Sequence, residues 1–114
     1  MNLRQLFLDH NAQTSAAPLA IEITKAEDCR LWDADGKEYI DLIGGISVCN
    51  VGHRHPRVIA AIQEQLDKYL HVMVYGELVQ SPQVLYAQLL TDHLPASLNS
   101  VYFTNSGTEA TEGA

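Results

Sequence analysis

Apolar and polar positions change rhythm along the chain. Ile21 and Ile23 alternate with Glu22 and Thr24, the period-two pattern of a strand with one wet face. Leu31-Trp32, then Tyr39, Ile40 and Leu42, give two further short strand candidates, separated by Glu27-Asp28 and Ala34-Asp35-Gly36-Lys37. Asp35-Gly36 between strand-like runs predicts a hairpin turn, because glycine takes positive φ without penalty. The expectation over 19–54 is a small antiparallel meander. Ahead of it, Met1 to Asp9 is a short amphipathic piece, and the small polar run "NAQTSAAP" over 11–18 reads as a connector. Residues 1–18 are therefore an arm and its linker.

The rhythm lengthens after His55-Pro56. Val58, Ile59, Ile62, Leu66, Tyr69 and Leu70 recur at three- and four-residue spacing, which predicts a helix with one apolar stripe. Proline suits its first turn, where a missing N–H costs nothing. Glu64 and Lys68 form an i,i+4 pair on the wet side, worth a few tenths of a kcal/mol. Ser81-Pro82 opens a second helix with Ser81 as cap and Val84, Leu85, Leu89 and Leu90 as its buried face, and Leu94-Pro95 ends it. Val101 to Thr104, β-branched and aromatic, is expected as a strand buried on both faces, as in a parallel sheet. A helix start follows. Residues 55–114 thus read as helices leading into an α/β domain, with too few strands to complete its sheet.

Composition narrows the function classes. The chain has 114 residues and a formal net charge of −7. It has no Lys/Arg cluster of the kind a nucleic-acid partner needs. No run approaches the ~18 apolar residues of a membrane span. The start lacks the apolar core and small-residue cleavage site of a secretory signal, so a cytoplasmic location is expected. Cys29 and Cys49 have no metal or redox spacing and read as reduced thiols.

The richest chemistry lies at Ser106-Gly107-Thr108-Glu109, an S-x-x-E capping box after the expected strand. A helix start there offers free N–H groups and the positive end of the helix dipole. Gly107 lets an anion approach the backbone, and Thr108 adds a hydroxyl. The net charge of −7 does not oppose this, since distant carboxylates are screened beyond ~8–10 Å in physiological salt. The turn is neither a P-loop nor a dinucleotide fingerprint. Other features are less specific. Asp33-Ala34-Asp35-Gly36 looks like the start of a calcium loop, but Gly44 stands where the twelfth-position Glu belongs. Gly44-Gly45 is either a bend or a place of close backbone approach. His53 and His55 lack further metal ligands and shape a turn and a helix start. Tyr75 is a loop phenol, either packed or facing a site.

Together, "LWDADGKEYIDLIGGISVCNVGHRHPRVIAAI" and the later "VYFTNSGTEATEGA" resemble the start of class III pyridoxal-phosphate aminotransferases. The D-x-D-G-K-x-Y-I-D hairpin, the G-H-x-H-P-x-V helix start and the S-G-T-E-A turn carry the likeness, over about residues 18–114. The resemblance implies a fold-type I α/β enzyme using pyridoxal 5'-phosphate, usually a homodimer. Such enzymes move an amino group from an amino donor to a 2-oxo acid, typically 2-oxoglutarate. By that likeness Gly107 and Thr108 donate N–H groups to the cofactor phosphate, and Ser106 shapes the turn. Ile46 and Ser47 lie near the substrate, and Tyr75 lines its pocket more loosely. Ile46 is aliphatic where some relatives carry an aromatic residue. In the family, the lysine that holds the cofactor and the acid that keeps its ring nitrogen protonated lie far beyond the S-G-T-E-A turn. The lysines here, Lys25, Lys37 and Lys68, belong to the hairpin region and to a wet helix face. The expectation is an N-terminal segment that is inactive alone and holds no catalytic residue of its own. The alternative is a non-catalytic module of the same fold that binds a partner or self-associates.

Overall fold

The computed structural model describes residues 2–73 and 76–114. The chain falls into two units, Met1–Tyr69 and Leu70–Ala114.

The first unit opens with α1 (Leu3–His10), whose N-cap Asn2 accepts a hydrogen bond from the Gln5 N–H at 3.1 Å. The expected meander follows as β1 (Ile23–Glu27), β2 (Arg30–Asp33) and β3 (Glu38–Ile40), antiparallel in the order β1-β2-β3. Leu31 pairs with Tyr39 and Ala26 with Leu31, while a register shift sits between Ile23 and Lys25. The Asp35-Gly36 turn is built by Asp33. One of its carboxylate oxygens accepts the N–H groups of Asp35 at 3.0 Å and Lys37 at 2.9 Å, and the other accepts the Tyr39 hydroxyl at 2.7 Å. Tyr39, and then the backbone N–H groups of Lys37 and Asp35, hold the Asp33 carboxyl below the usual range against the opposing effect of partial burial. Apolar side chains of α1, the connector and the sheet, among them Leu3, Phe7, Leu19, Ile21 and Leu31, line an open cavity of about 500 Å³.

A single turn, α2 (Gly44–Ser47), precedes α3 (Pro56–Leu66), which starts where proline permits, with His55 as N-cap and Pro56 first. Helix α3 ends earlier than its stripe suggests. Asp67 is the C-cap, and Tyr69 is reached through a turn closed by its N–H on Gln65 O at 3.1 Å.

In the second unit α4 spans Ser81–Thr91. Its cap is Gln80 and not Ser81, which is the first helical residue. Gln80 enters in an extended conformation, and its side-chain amide donates to Met73 O at 2.9 Å. At 8% exposure Gln80 is the one buried residue among those described. The expected buried face of α4 is open: Val84, Leu85 and Leu89 are exposed, and no described hydrophobic side chain is fully buried. Val101 to Thr104, expected as a strand, takes part in no ladder among the described residues. A strand is a hydrogen-bonded pairing, and the described meander strands pair only with one another. Phe103 does stack on Tyr86 of α4, with ring centroids 5.7 Å apart. The chain then enters α5 (Gly107–Gly113). No described helix is long and apolar enough to cross a membrane.

Candidate functional site

The sequence-predicted residues occupy two places. Ser106, Gly107 and Thr108 gather at the start of α5, in the second unit. Ile46 and Ser47 share one turn in the first. Tyr75 lies outside the described residues.

At α5 the capping box forms in a modified way. Ser106, extended at φ −149°, accepts from the Glu109 N–H at 3.2 Å. In the standard capping box the N3 carboxylate reaches back to the N–H of the cap itself. The Glu109 carboxylate instead accepts the N–H of Asn105, one residue earlier, at 2.8 Å. The Thr104 hydroxyl donates to Ser106 O at 3.2 Å and ties the approach to the turn. The N–H groups of Gly107 and Thr108 make no hydrogen bond among the described residues, as first-turn amides have no partner inside a helix. A Cβ placed on Gly107 would meet nothing within 4 Å. Two donors without an internal partner therefore stand beside a fixed turn, an arrangement that fits a phosphate-sized anion. A concavity of about 730 Å³, lined by Gly76, Gln83 and residues 101–105, reaches the residue next to Ser106.

The Gly44–Ser47 segment, α2, is a single turn of the wrong hand. Gly44, Gly45, Ile46 and Ser47 have φ of +55°, +63°, +63° and +62°. Its bonds are regular nonetheless: Ser47 N–H donates to Ile43 O at 2.9 Å and Val48 N–H to Gly44 O at 3.0 Å. Left-handed turns cost L-residues roughly 1–2 kcal/mol each, more naturally borne by glycine than by β-branched Ile46. The double glycine is thus more than a bend. A Cβ on Gly45 would come within 3.1 Å of Val48 Cγ2 and 3.3 Å of Cys49 Sγ.

Asp41, which sequence reasoning did not select, and His53, which it gave as shaping a turn, hold this turn. Asp41 places one carboxylate oxygen 3.0 Å from the N–H groups of both Ile43 and Gly44, which donate to it. Its other oxygen lies 2.6 Å from His53 Nε2. An ionised carboxylate only accepts, so Nε2 carries the proton. His53, followed by Gly44 and Ile43, holds the Asp41 carboxyl below its ordinary range. The pair meets across twelve residues because both backbones are tied to the turn between β1 and β2. Asp41 N–H donates to Cys29 O at 2.8 Å, and Asp28 and His53 exchange bonds of 3.0 and 2.7 Å. The available signal was an Asp preceding an irregular glycine pair, a residue type that readily accepts nearby backbone N–H groups. His55, by contrast, caps α3. No group of three or more His, Cys, Asp or Glu residues that could hold a metal occurs among the described residues.

The three lysines are placed at surfaces. Lys25 pairs with Glu27 at 2.6 Å and lies 4.5 Å above the Trp32 ring; Lys37 lies 4.9 Å above Tyr39; Lys68 pairs with Glu64 at 2.7 Å.

Comparison with known proteins supplies the context. The acetylornithine aminotransferase of Methanopyrus kandleri is 39% identical over 116 residues, matching 100% of this chain and 28% of its own length. The solved acetylornithine aminotransferase of Elizabethkingia anophelis superposes with TM-score 0.82 at 31% identity, covering 97% of this chain and 28% of that one. A taurine:2-oxoglutarate aminotransferase from Bifidobacterium kashiwanohense, solved with pyridoxal phosphate and glutamate, gives TM-score 0.81 at 28% identity over 96% of this chain and 25% of that one. The chain thus spans about a quarter of the length of these relatives, and its fold is that of the corresponding part of fold-type I aminotransferases. The aminotransferase class-III family profile matches residues 11–114. This chain belongs to the class-III aminotransferases.

Proposed function

We propose that the chain is the N-terminal segment of a pyridoxal-phosphate-dependent aminotransferase, which passes an amino group from an amino donor to a 2-oxo acid, with 2-oxoglutarate as acceptor. In this reading residues 19–54 are the meander of the small domain, and residues 55–114 lead into the large one. The enzyme is a cytoplasmic homodimer.

The observation that carries the proposal is the start of α5. The Gly107 and Thr108 N–H groups, free among the described residues, donate to the cofactor phosphate. Each such charge-assisted bond is worth about 1.5–3 kcal/mol. Ser106 and Glu109 keep the turn in place through their bonds to Glu109 N–H and Asn105 N–H. Because Glu109 is held by Asn105, its negative charge is tied to the cap. The cofactor, when bound, supplies an electron sink for the carbon that loses or gains the amino group. Ile46 and Ser47 border the substrate and bound its size. Tyr75, outside the described residues, is assigned to the substrate pocket more loosely, by the family likeness alone. Lys25, Lys37 and Lys68 are engaged at surfaces and hold no cofactor, so the 114-residue chain transfers nothing alone. An autonomous non-catalytic module is the weaker reading, because the apolar faces of α3 and α4 remain exposed.

Amide NMR of the labelled chain, titrated with pyridoxal 5'-phosphate, pyridoxal and inorganic phosphate, tests the site. Shifts at Gly107 and Thr108 with both phosphates, and not with pyridoxal, are expected. Shifts centred elsewhere, or equal shifts with pyridoxal, would remove the phosphate assignment. For the activity, a polypeptide completed with the rest of the enzyme should form glutamate from 2-oxoglutarate and an amino donor such as acetylornithine, and the 114-residue chain should not.

A further inference from the structure

Ile46 combines two features that rarely meet. It is β-branched at φ +63°, and it is 84% exposed. Burial therefore does not offset its strain. Such a conformation persists only where the surroundings impose it. Among the described residues, Asp41 is the one side chain bonded to the backbone of this turn. Asp41 fixes the N–H groups of Ile43, which precedes the left-handed turn, and of Gly44, which opens it. His53 fixes Asp41 in turn, at 2.6 Å, with side-chain exposures of 18% for His53 and 9% for Asp41. His53 cannot drift, because its backbone is bonded both ways to Asp28. Its approach needs Gly52, whose φ is +85° and whose Cβ, if present, would lie 3.1 Å from Asp28 Cα.

We infer that Asp41 and His53 are positioning residues for donor selection: they hold Gly44–Ser47 left-handed and so set where Ile46 and Ser47 stand in the substrate wall. This rests on the aminotransferase reading, in which those two residues border the substrate. Neither Asp41 nor His53 touches the donor in this account. Their effect passes through the backbone, from the two N–H groups to the sense of the turn, and from there to the direction of the Ile46 side chain. Released from Asp41, Ile46 and Ser47 return to negative φ, and the wall is rebuilt with its side chains pointing elsewhere. Donors differing in chain length then lose their discrimination, while the start of α5, in the other unit, keeps its own bonds.

The test uses Asp41→Ala, Asp41→Asn and His53→Ala. Asp41→Asn keeps a side-chain oxygen for the Ile43 and Gly44 N–H groups and serves as the conservative rescue. In the labelled chain, HN–Hα couplings and intraresidue HN–Hα NOEs report φ at Ile46 and Ser47. The amides of Leu31 and Tyr39, in the β2–β3 ladder, report that the hairpin persists. In the complete enzyme, kcat/KM is measured for a series of ω-amino donors of increasing length. We expect Asp41→Ala to lose positive φ at Ile46 and Ser47, to keep the hairpin amides, and to change the ratio of kcat/KM between donors by about tenfold, the scale of one methylene in a pocket. Asp41→Asn should restore both readouts, and His53→Ala should fall between. Retention of positive φ in Asp41→Ala overturns the inference. So does a lost turn with donor ratios within twofold of wild type. If the wild-type enzyme transfers no amino group, the substrate role falls with the aminotransferase reading. The NMR couplings distinguish that failure from a failure of the clamp.

Discussion

Gly52 and Gly36 form a natural controlled pair. Both are left-handed, at φ +85° and +80°, but their surroundings differ. At Gly36 an added Cβ meets nothing within 4 Å. At Gly52 it would stand 3.1 Å from Asp28 Cα and 3.3 Å from Asp28 C and O. These atoms are backbone, and Asp28 is bonded to His53 through N–H and C=O alike, so they cannot retreat without opening that bridge. Alanine at either position carries the left-handed penalty of about 1–2 kcal/mol. At Gly52 an overpacking cost of about 1–3 kcal/mol is added. Gly36→Ala should therefore cost about 1–2 kcal/mol locally, and Gly52→Ala about 2–5 kcal/mol. Amide exchange measures both. The Asp33 N–H, bonded to Lys37 O at 3.1 Å, reads the first. The Asp28 and His53 N–H groups read the second. Their protection should fall more at Gly52 than at Gly36, by a further factor of roughly 5 to 150. Equal losses would refute the claim that close approach, and not φ alone, requires glycine at Gly52.

Ile46→Gly should have the opposite sign. It removes a left-handed penalty of roughly 1–2 kcal/mol and adds a glycine entropy cost of about 0.5–1 kcal/mol, so protection of the Val48 and Cys49 amides should rise by roughly threefold. The Asp33 carboxyl is depressed in the folded chain, so its support of the hairpin is complete above the unfolded carboxylate range and is lost as pH falls through the depressed value. Tyr39→Phe removes the largest cause and should move that loss to higher pH, followed through the Lys37 amide shift. Ser106→Ala should weaken the start of α5 by about 0.5–2 kcal/mol. Faster exchange of the Glu109 amide would show it, and unchanged exchange would mean that the Asn105–Glu109 bond alone holds the turn.

What the sequence made legible was local. Asp35-Gly36 marked its hairpin because the turn depends on adjacent residues, and His55-Pro56 marked the first residue of α3 for the same reason. The S-x-x-E spacing found the cap of α5, though Glu109 bonds one residue earlier than the pattern implies. The error at Ser81 has a tertiary origin: Gln80 is drawn inward to Met73 O, and the helix begins one residue sooner than the Ser-Pro pair suggests. Val101 to Thr104 pairs with nothing among the described residues, because strand character in a sequence is only a capacity to pair. The candidate site divided in the same way. Ser106, Gly107 and Thr108 were visible in an unbroken motif. The contact between Asp41 and His53 was not, because it depends on a third segment.

That third segment, the turn at Asp28-Cys29, connects the hairpin with the strained turn. Cys29 O receives the N–H of Asp41, and Asp28 receives and gives bonds to His53. Asp28 can do so because it stands at φ +48°, in a region that aspartate tolerates better than most residues. A two-residue connection between β1 and β2 thus becomes the anchor for a carboxylate and an imidazole that are far apart in sequence. Their own bond then fixes two further N–H groups. At each step backbone pairing places a side chain, and that side chain fixes the next piece of backbone. A left-handed turn with an exposed isoleucine has little reason to exist by itself. It is explained by the rigidity of the meander behind it, which lets a strained segment be held without a hydrophobic core around it.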